Sequence, residues 1–218
     1  MKNYIIPTTV VDDFFDNPQW VREFALLQEF KPDPESMWPG KRTELLETIH
    51  KPLFDHTINR ALSMFYDIHD PANAIEWHAN ASFQLVNAIH NTGWIHKDLD
   101  KITGIIYLNP DANPSGGTTI WEAKEEATVL KNHDQKKATF KNVELSNELD
   151  SYRQENNDQF IESITVKNKF NRLVMFDGNL YHAADEYFGQ GDDTRLTLVF
   201  FIDGLFAKDY PLQRLKKV

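Results

Sequence analysis

The 218-residue chain carries 33 acidic against 23 basic side chains, a formal net charge of −10 with histidine neutral. That balance disfavours non-specific binding to nucleic acid or anionic membrane, since both carry the same sign. There is no cysteine, which excludes a disulfide framework, a thiolate zinc site and an iron–sulfur cluster. A hydrophobic content of 41% is enough for a sizeable core, and one domain spanning 1–218 is expected. Met1 to Pro7 lacks the apolar stretch of a signal peptide. No run approaches the ~18 apolar residues of a membrane span. The expectation is a soluble cytoplasmic protein.

Tyr4 to Ile6 and Val10-Val11 read as a short strand leading to Phe14-Phe15. Asp16-Asn17-Pro18 has the form of a helix start, a capping side chain followed by an early proline. Trp20, Val21, Phe24, Ala25 and Leu27 follow at helical spacing and form a packing stripe. Residues 31–41 hold Pro32, Pro34, Pro39 and Gly40 and read as a loop. Arg42, at its end, could reach an acid but is read as a loop residue in a structural salt bridge. A helix is expected from Thr43 to about His50, broken at Pro52 and resuming to Phe65. Phe54, Ile58, Ala61, Leu62 and Phe65 share one face of it. Residues 1–79 are thus expected to be an α/β support for a β core over 80–205.

From Ala74 the pattern turns to strands. Ser82–Ala88, the β-branched Ile102–Leu108, Thr118–Trp121, Phe160–Val166, Leu173–Phe176 and Thr194–Ile202 all read as strands between Gly, Pro and Asn turns. Residues 122–160 break the pattern with dense charge. They are read as a solvated insertion, with a helix from about Ser146 to Asn156 and a possible part as a lid. The tail 206–218 is read as peripheral. Many short strands with such turns indicate a mainly β fold with flanking helices, of the jelly-roll or β-sandwich kind.

The stretch Trp94-Ile95-His96-Lys97-Asp98 organises the chemistry. On an extended chain His96 and Asp98 point to the same face, so an imidazole and a carboxylate can grip one cation. His182 is the best candidate for a third ligand. Two His and one carboxylate on one side of a metal, with other positions open, suit non-haem Fe(II) and O₂ chemistry. The motif alone is weak. With 8 His and 19 Asp in the chain, chance supplies about 0.7 His-x-Asp occurrences. Arg195, with Thr197, Val199 and Phe201 on its face, adds weight. A guanidinium directed into an apolar interior needs an anion, and its planar fork suits the far carboxylate of a small diacid. The alternative is an outward Arg195 paired with Asp192 or Asp193. Trp94 and Trp121 flank the expected mouth, as substrate contacts or as packing.

Six elements then occur in the order of a known family. They are His96-Lys97-Asp98, Tyr107-Leu108-Asn109, Gly116-Gly117-Thr118-Thr119-Ile120-Trp121, Leu173 to Phe176, His182 and Arg195. Over roughly 82–203 the chain resembles the Fe(II)/2-oxoglutarate-dependent oxygenases, in the branch that looks like prolyl 4-hydroxylases. The resemblance implies a double-stranded β-helix, cupin-like, with iron on His96, Asp98 and His182. It implies 2-oxoglutarate as cosubstrate, held by Arg195 with Tyr107 and Thr119 nearby, and O₂ as oxidant. The outcome implied is hydroxylation of a C–H bond with release of succinate and CO₂. Asp98 favours that outcome, because halogenating members lack this carboxylate. The substrate would be a small molecule or a protein side chain. Two departures stand out: a longer loop between His182 and Arg195, and the 122–160 insertion. Two other readings stay open, a cupin-like metal enzyme without 2-oxoglutarate and a non-catalytic jelly-roll binding module.

Overall fold

The structure is a computed structural model that describes residues 6–33, 38, 40–68, 75–87, 93–98, 100–111, 113–124, 147–189 and 194–207. His69, the Asn91-Thr92 turn, His133, the middle of the 122–160 insertion, Asp192, Asp193 and the tail beyond Ala207 lie outside the described residues. The strands are β1 (Thr9–Val11), β2 (Lys41–Arg42), β3 (Ile75–Val86), β4 (Ile102–Tyr107), β5 (Thr118–Ala123), β6 (Phe160–Val166), β7 (Leu173–Asp177), β8 (Tyr181–Ala184) and β9 (Arg195–Ala207). The helices are α1 (Pro18–Leu26), α2 (Leu46–Ile49), α3 (Lys51–Leu62) and α4 (Asn147–Asn157). No helix among the described residues is long and apolar enough to cross a membrane.

Two antiparallel sheets face each other. The major sheet runs β1-β7-β4-β9-β3-β2 and the minor sheet β6-β5-β8. The chain is mainly β, a double-stranded β-helix with helical support on one side. Alternation along the major-sheet strands separates two faces. Phe83, Ile102, Ile106, Leu173, Met175, Leu196, Leu198 and Phe200 turn outward. There they join Phe14, Val21, Leu53, Phe54, Ile58 and Leu62 of the helical layer in the main core. Asn17 caps α1 by accepting from the Trp20 amide at 3.2 Å, the role expected of it. Gly104 lies beneath Phe200, where an added Cβ would fall 2.0 Å from the ring Cζ. Only glycine lets that ring lie flat on β4.

The other face looks at the minor sheet. Tyr107, Val174 and Phe176 meet Ile120 and Val166 in a second, smaller cluster. Arg195, Thr197, Val199 and Phe201 alternate onto this same inner face. The site is therefore built where polar residues interrupt an apolar interior.

Two local expectations are corrected. Residues 41 and 42 form a strand rather than the end of a loop, with Arg42 paired to Gln84. The Thr43 amide also bonds the Phe83 carbonyl at 3.1 Å, so the following helix starts at Leu46 and not at Thr43. β5 and β6 pair directly, from Thr118↔Val166 to Ala123↔Phe160. The inserted residues are thus the connection of one long hairpin.

Candidate active site

The segment 93–98 runs beside β8 as a further rung of the minor sheet. The His96 amide donates to the His182 carbonyl at 3.1 Å, and the His182 amide returns the bond to His96 at 2.8 Å. Two residues that exchange both backbone bonds hold their side chains next to each other. The imidazole centroids are 4.5 Å apart with planes at 48°. The Asp98 amide bonds the Gly178 carbonyl at 2.9 Å, which holds its carboxylate on the same side. The potential ligand atoms of His96, Asp98 and His182 all lie within 4.8 Å of one another. The structure thus brings these three predicted residues together.

Hydrogen bonds settle which nitrogens are available. His96 Nδ1 is 2.7 Å from the Trp94 carbonyl, and His182 Nδ1 is 2.9 Å from the Leu180 carbonyl. A carbonyl only accepts, so each Nδ1 carries the proton and each Nε2 offers a lone pair. The two Nε2 atoms point at Asp98, at 3.5 Å from Oδ1 for His96 and 3.3 Å from Oδ2 for His182. Thr103 donates its hydroxyl to Asp98 Oδ2. Burial alone would push the Asp98 carboxyl up. When the imidazoles also carry a proton on Nε2, the bonds and charges of His182 and His96 outweigh it and hold the group well below the usual carboxylate range; in the neutral tautomer those Nε2 positions are free for a metal.

Arg195 is 4% exposed and faces inward. Its Nε donates to the Gly116 carbonyl at 3.1 Å. Its guanidinium carbon lies 5.6 Å from the Tyr107 ring centroid and 5.9 Å from that of Tyr187. Among the described residues no carboxylate forms an ion pair with it. Thr197, on the same face, is fully buried, and its Oγ1 has no hydrogen-bond partner. The Tyr107 hydroxyl donates to Thr118 Oγ1 at 2.8 Å. Burial pushes the Tyr107 phenol up to about 12, against the opposing charge of Arg195. A buried cation beside an unsatisfied hydroxyl is the complement of an anion.

Three other expectations meet different outcomes. Thr119 turns to the outer face of the minor sheet. There its hydroxyl is 2.9 Å from that of Thr165 and bonds Asp185. Thr118, one position earlier, is the threonine that meets Tyr107. Trp121 pairs with Tyr181 and packs with Ile95, Phe160 and Ala183 on that outer face, away from His182. Trp94 is 4% exposed and lies inside rather than on a rim.

The insertion is more than a solvated rim. The Asn157 Oδ1 accepts from the Ile95 amide at 3.0 Å, and its Nδ2 donates to the Gly93 carbonyl at 2.8 Å. Asn156, 2% exposed, donates to the Ile95 carbonyl at 3.1 Å. The end of α4 thus clamps the backbone that leads to His96. Nothing in a polar Asn-Asn pair marks this in the sequence, because it has no hydrophobic period.

The sequence matches, over residues 3–202, the model of a family described as of unknown function, DUF6445. No curated protein matches it. HygX from Streptomyces hygroscopicus, crystallised with nickel, 2-oxoglutarate and hygromycin B, is similar at 10% identity. That comparison covers 90% of this chain and 82% of HygX, with a TM-score of 0.50. EvdO2 from Micromonospora carbonacea var. aurantiaca is 12% identical over 95% of this chain and 91% of that chain, TM-score 0.49. A prolyl-4-hydroxylase from Pseudomonas putida is 15% identical over 90% and 91%, TM-score 0.47. At these identities the likeness is one of fold.

Proposed function

The chain belongs to the family of unknown function DUF6445, and we propose that it is an Fe(II)- and 2-oxoglutarate-dependent dioxygenase that hydroxylates a C–H bond. The observation that carries this is the His96–Asp98–His182 cluster, its ligand atoms within 4.8 Å, with both Nε2 lone pairs directed inward. Behind it stand Arg195, which has no ion pair among the described residues, and the unpartnered Thr197 hydroxyl. These residues fit the two groups the fold implies. The presence of nickel and 2-oxoglutarate in the HygX crystal supports the assignment.

His96, Asp98 and His182 would hold iron from one side, leaving the rest of its coordination sphere open. The Trp94 and Leu180 carbonyls fix both imidazoles in the metal-binding tautomer, and Thr103 orients the carboxylate. Arg195 would grip the far carboxylate of 2-oxoglutarate through its fork, with the Thr197 hydroxyl donating alongside. Tyr107, tied to Thr118, would form a wall beside that carboxylate. When bound, iron and 2-oxoglutarate supply the O₂-dependent oxidation, releasing succinate and CO₂.

Anaerobic addition of Fe(II) and 2-oxoglutarate to the full chain should raise a weak visible charge-transfer band. Arg195→Ala should weaken 2-oxoglutarate binding about 100-fold, the loss of two charge-assisted bonds. A metal enzyme that does not use 2-oxoglutarate would bind metal, show no such band and be indifferent to Arg195→Ala. A binding module would bind no metal with these residues.

A further inference from the structure

A second arginine stands on the same inner face with no ion pair among the described residues. β2 is only two residues long, and its register puts Arg42 opposite Gln84, Gln84 opposite Thr197, and Thr197 opposite Tyr107. These four residues form one row across the inner face of the major sheet. The Arg42 guanidinium carbon lies 4.0 Å from the centroid of the Trp38 ring and 5.5 Å from that of Phe201. Phe201 pairs with Thr103, the residue that bonds Asp98. The side chain therefore reaches along the sheet toward the metal ligands, away from Arg195.

Arg42 Nε is enclosed and has no hydrogen-bond partner. Among the described residues no side chain forms an ion pair with its guanidinium. Burial pushes its pKa down to about 10, opposed by the charges of Asp98 and Asp33. A cation taken out of water and stacked on an indole, with its Nε–H unpaired, is costly unless a ligand completes it. Among the described residues, the structural salt bridge expected from the sequence does not form.

The charge count assigns the occupant. On the reading given above, the two carboxylates of 2-oxoglutarate are accounted for, one at the metal and one at Arg195. We propose that Arg42, shelved on Trp38, is the anion subsite for the substrate, and that the substrate is an acid bearing a carboxylate or phosphate. This rests on the dioxygenase reading for its account of 2-oxoglutarate, though not for the binding of the anion itself. The subsite fixes one end of the substrate so that a neighbouring C–H bond faces the metal.

The test titrates inorganic phosphate, N-acetylglycine and N-acetylglycinamide into the full chain loaded with Ni(II) and saturating 2-oxoglutarate. Tryptophan fluorescence is the readout, and the series is repeated on the metal-free chain without cosubstrate. Phosphate and the acid should bind about tenfold more tightly than the amide, the worth of one charge-assisted bond. Trp38→Phe should remove the signal. Arg42→Gln should weaken anion binding about tenfold and leave 2-oxoglutarate affinity within about twofold. Arg42→Lys, which keeps the charge and loses the fork, should stay within about threefold. Anion binding that is untouched by Arg42→Gln overturns the proposal, as does equal binding of acid and amide. A tenfold loss of 2-oxoglutarate affinity in Arg42→Gln, with phosphate unaffected, would place Arg42 in the cosubstrate site instead. If 2-oxoglutarate fails to bind at all, the dioxygenase reading fails. An Arg42-dependent response to phosphate in the metal-free chain would still support the anion subsite.

Discussion

Replacing Asn157 with alanine tests whether α4 positions a metal ligand or only packs beside one. The substitution strands the Ile95 amide, now bonded at 3.0 Å, and the Gly93 carbonyl, bonded at 2.8 Å. Asn156 Nδ2 also loses its 3.0 Å bond to Asn157 Oδ1 but keeps Ile95 at 3.1 Å. Each lost bond is worth about 1 kcal/mol, and a partly enclosed amide left without an acceptor adds to that, so about 2–3 kcal/mol of stability should go. For a chain of this size that lowers Tm by about 4–10 °C. His96 remains bonded to His182 through both backbone groups, so the fold persists while the segment before it loosens. Ni(II) affinity, measured by calorimetry on the full chain, should fall about tenfold, in the range found when the support of a ligand is removed. Asn157→Asp keeps the acceptor for Ile95 and should lie between. A variant that loses the predicted Tm yet binds Ni(II) within about twofold of the parent would refute the positioning argument.

Asp185 provides a pH test. Burial raises its carboxyl from 3.8 to about 6, against the Thr119 hydrogen bond and the Arg195 charge. The folded chain therefore holds this proton more tightly than the unfolded chain, and ionisation costs stability above pH 6. That cost disappears as the pH falls from about 6 toward 4. Asp185→Asn should raise Tm at pH 7.5 by about 2–6 °C, from about 1–2 kcal/mol after allowing for partial exposure. The gain should vanish near pH 4; an equal gain at both pH values would contradict it. Thr118→Val strands the Tyr107 hydroxyl and should weaken 2-oxoglutarate binding, read from the charge-transfer band, about tenfold, whereas Thr119→Val should leave it unchanged. The reverse order would show that the outer-face threonine belongs to the site.

The strand pattern and the ligand spacing were legible because both follow short-range periodicities. Ile102–Tyr107 and Phe160–Val166 are β-branched or alternating runs between turn residues. His96 and Asp98 share a face by the two-residue repeat alone. Thr118 was missed because a motif match says which residues are near, while the pleat decides which of two adjacent threonines points inward. Trp121 went the same way as Thr119. Arg42 was read as loop because its strand is two residues long and the sequence just before it is Pro39-Gly40. Its pairing with Gln84 depends on a partner more than forty positions away. The part played by Asn156 and Asn157 was hidden for another reason. Side-chain amides that bond a distant backbone leave no trace in composition or spacing.

The backbone of Ile95 points away from β8, and both its polar groups are taken by amide side chains rather than by a neighbouring strand. An open flank on a sheet is a place where another polypeptide can add itself. Here the rung that would receive it is already filled, by two asparagines on a helix end. The flank that bears His96 is in this way closed to strand addition without the lysines or prolines usually spent on that task.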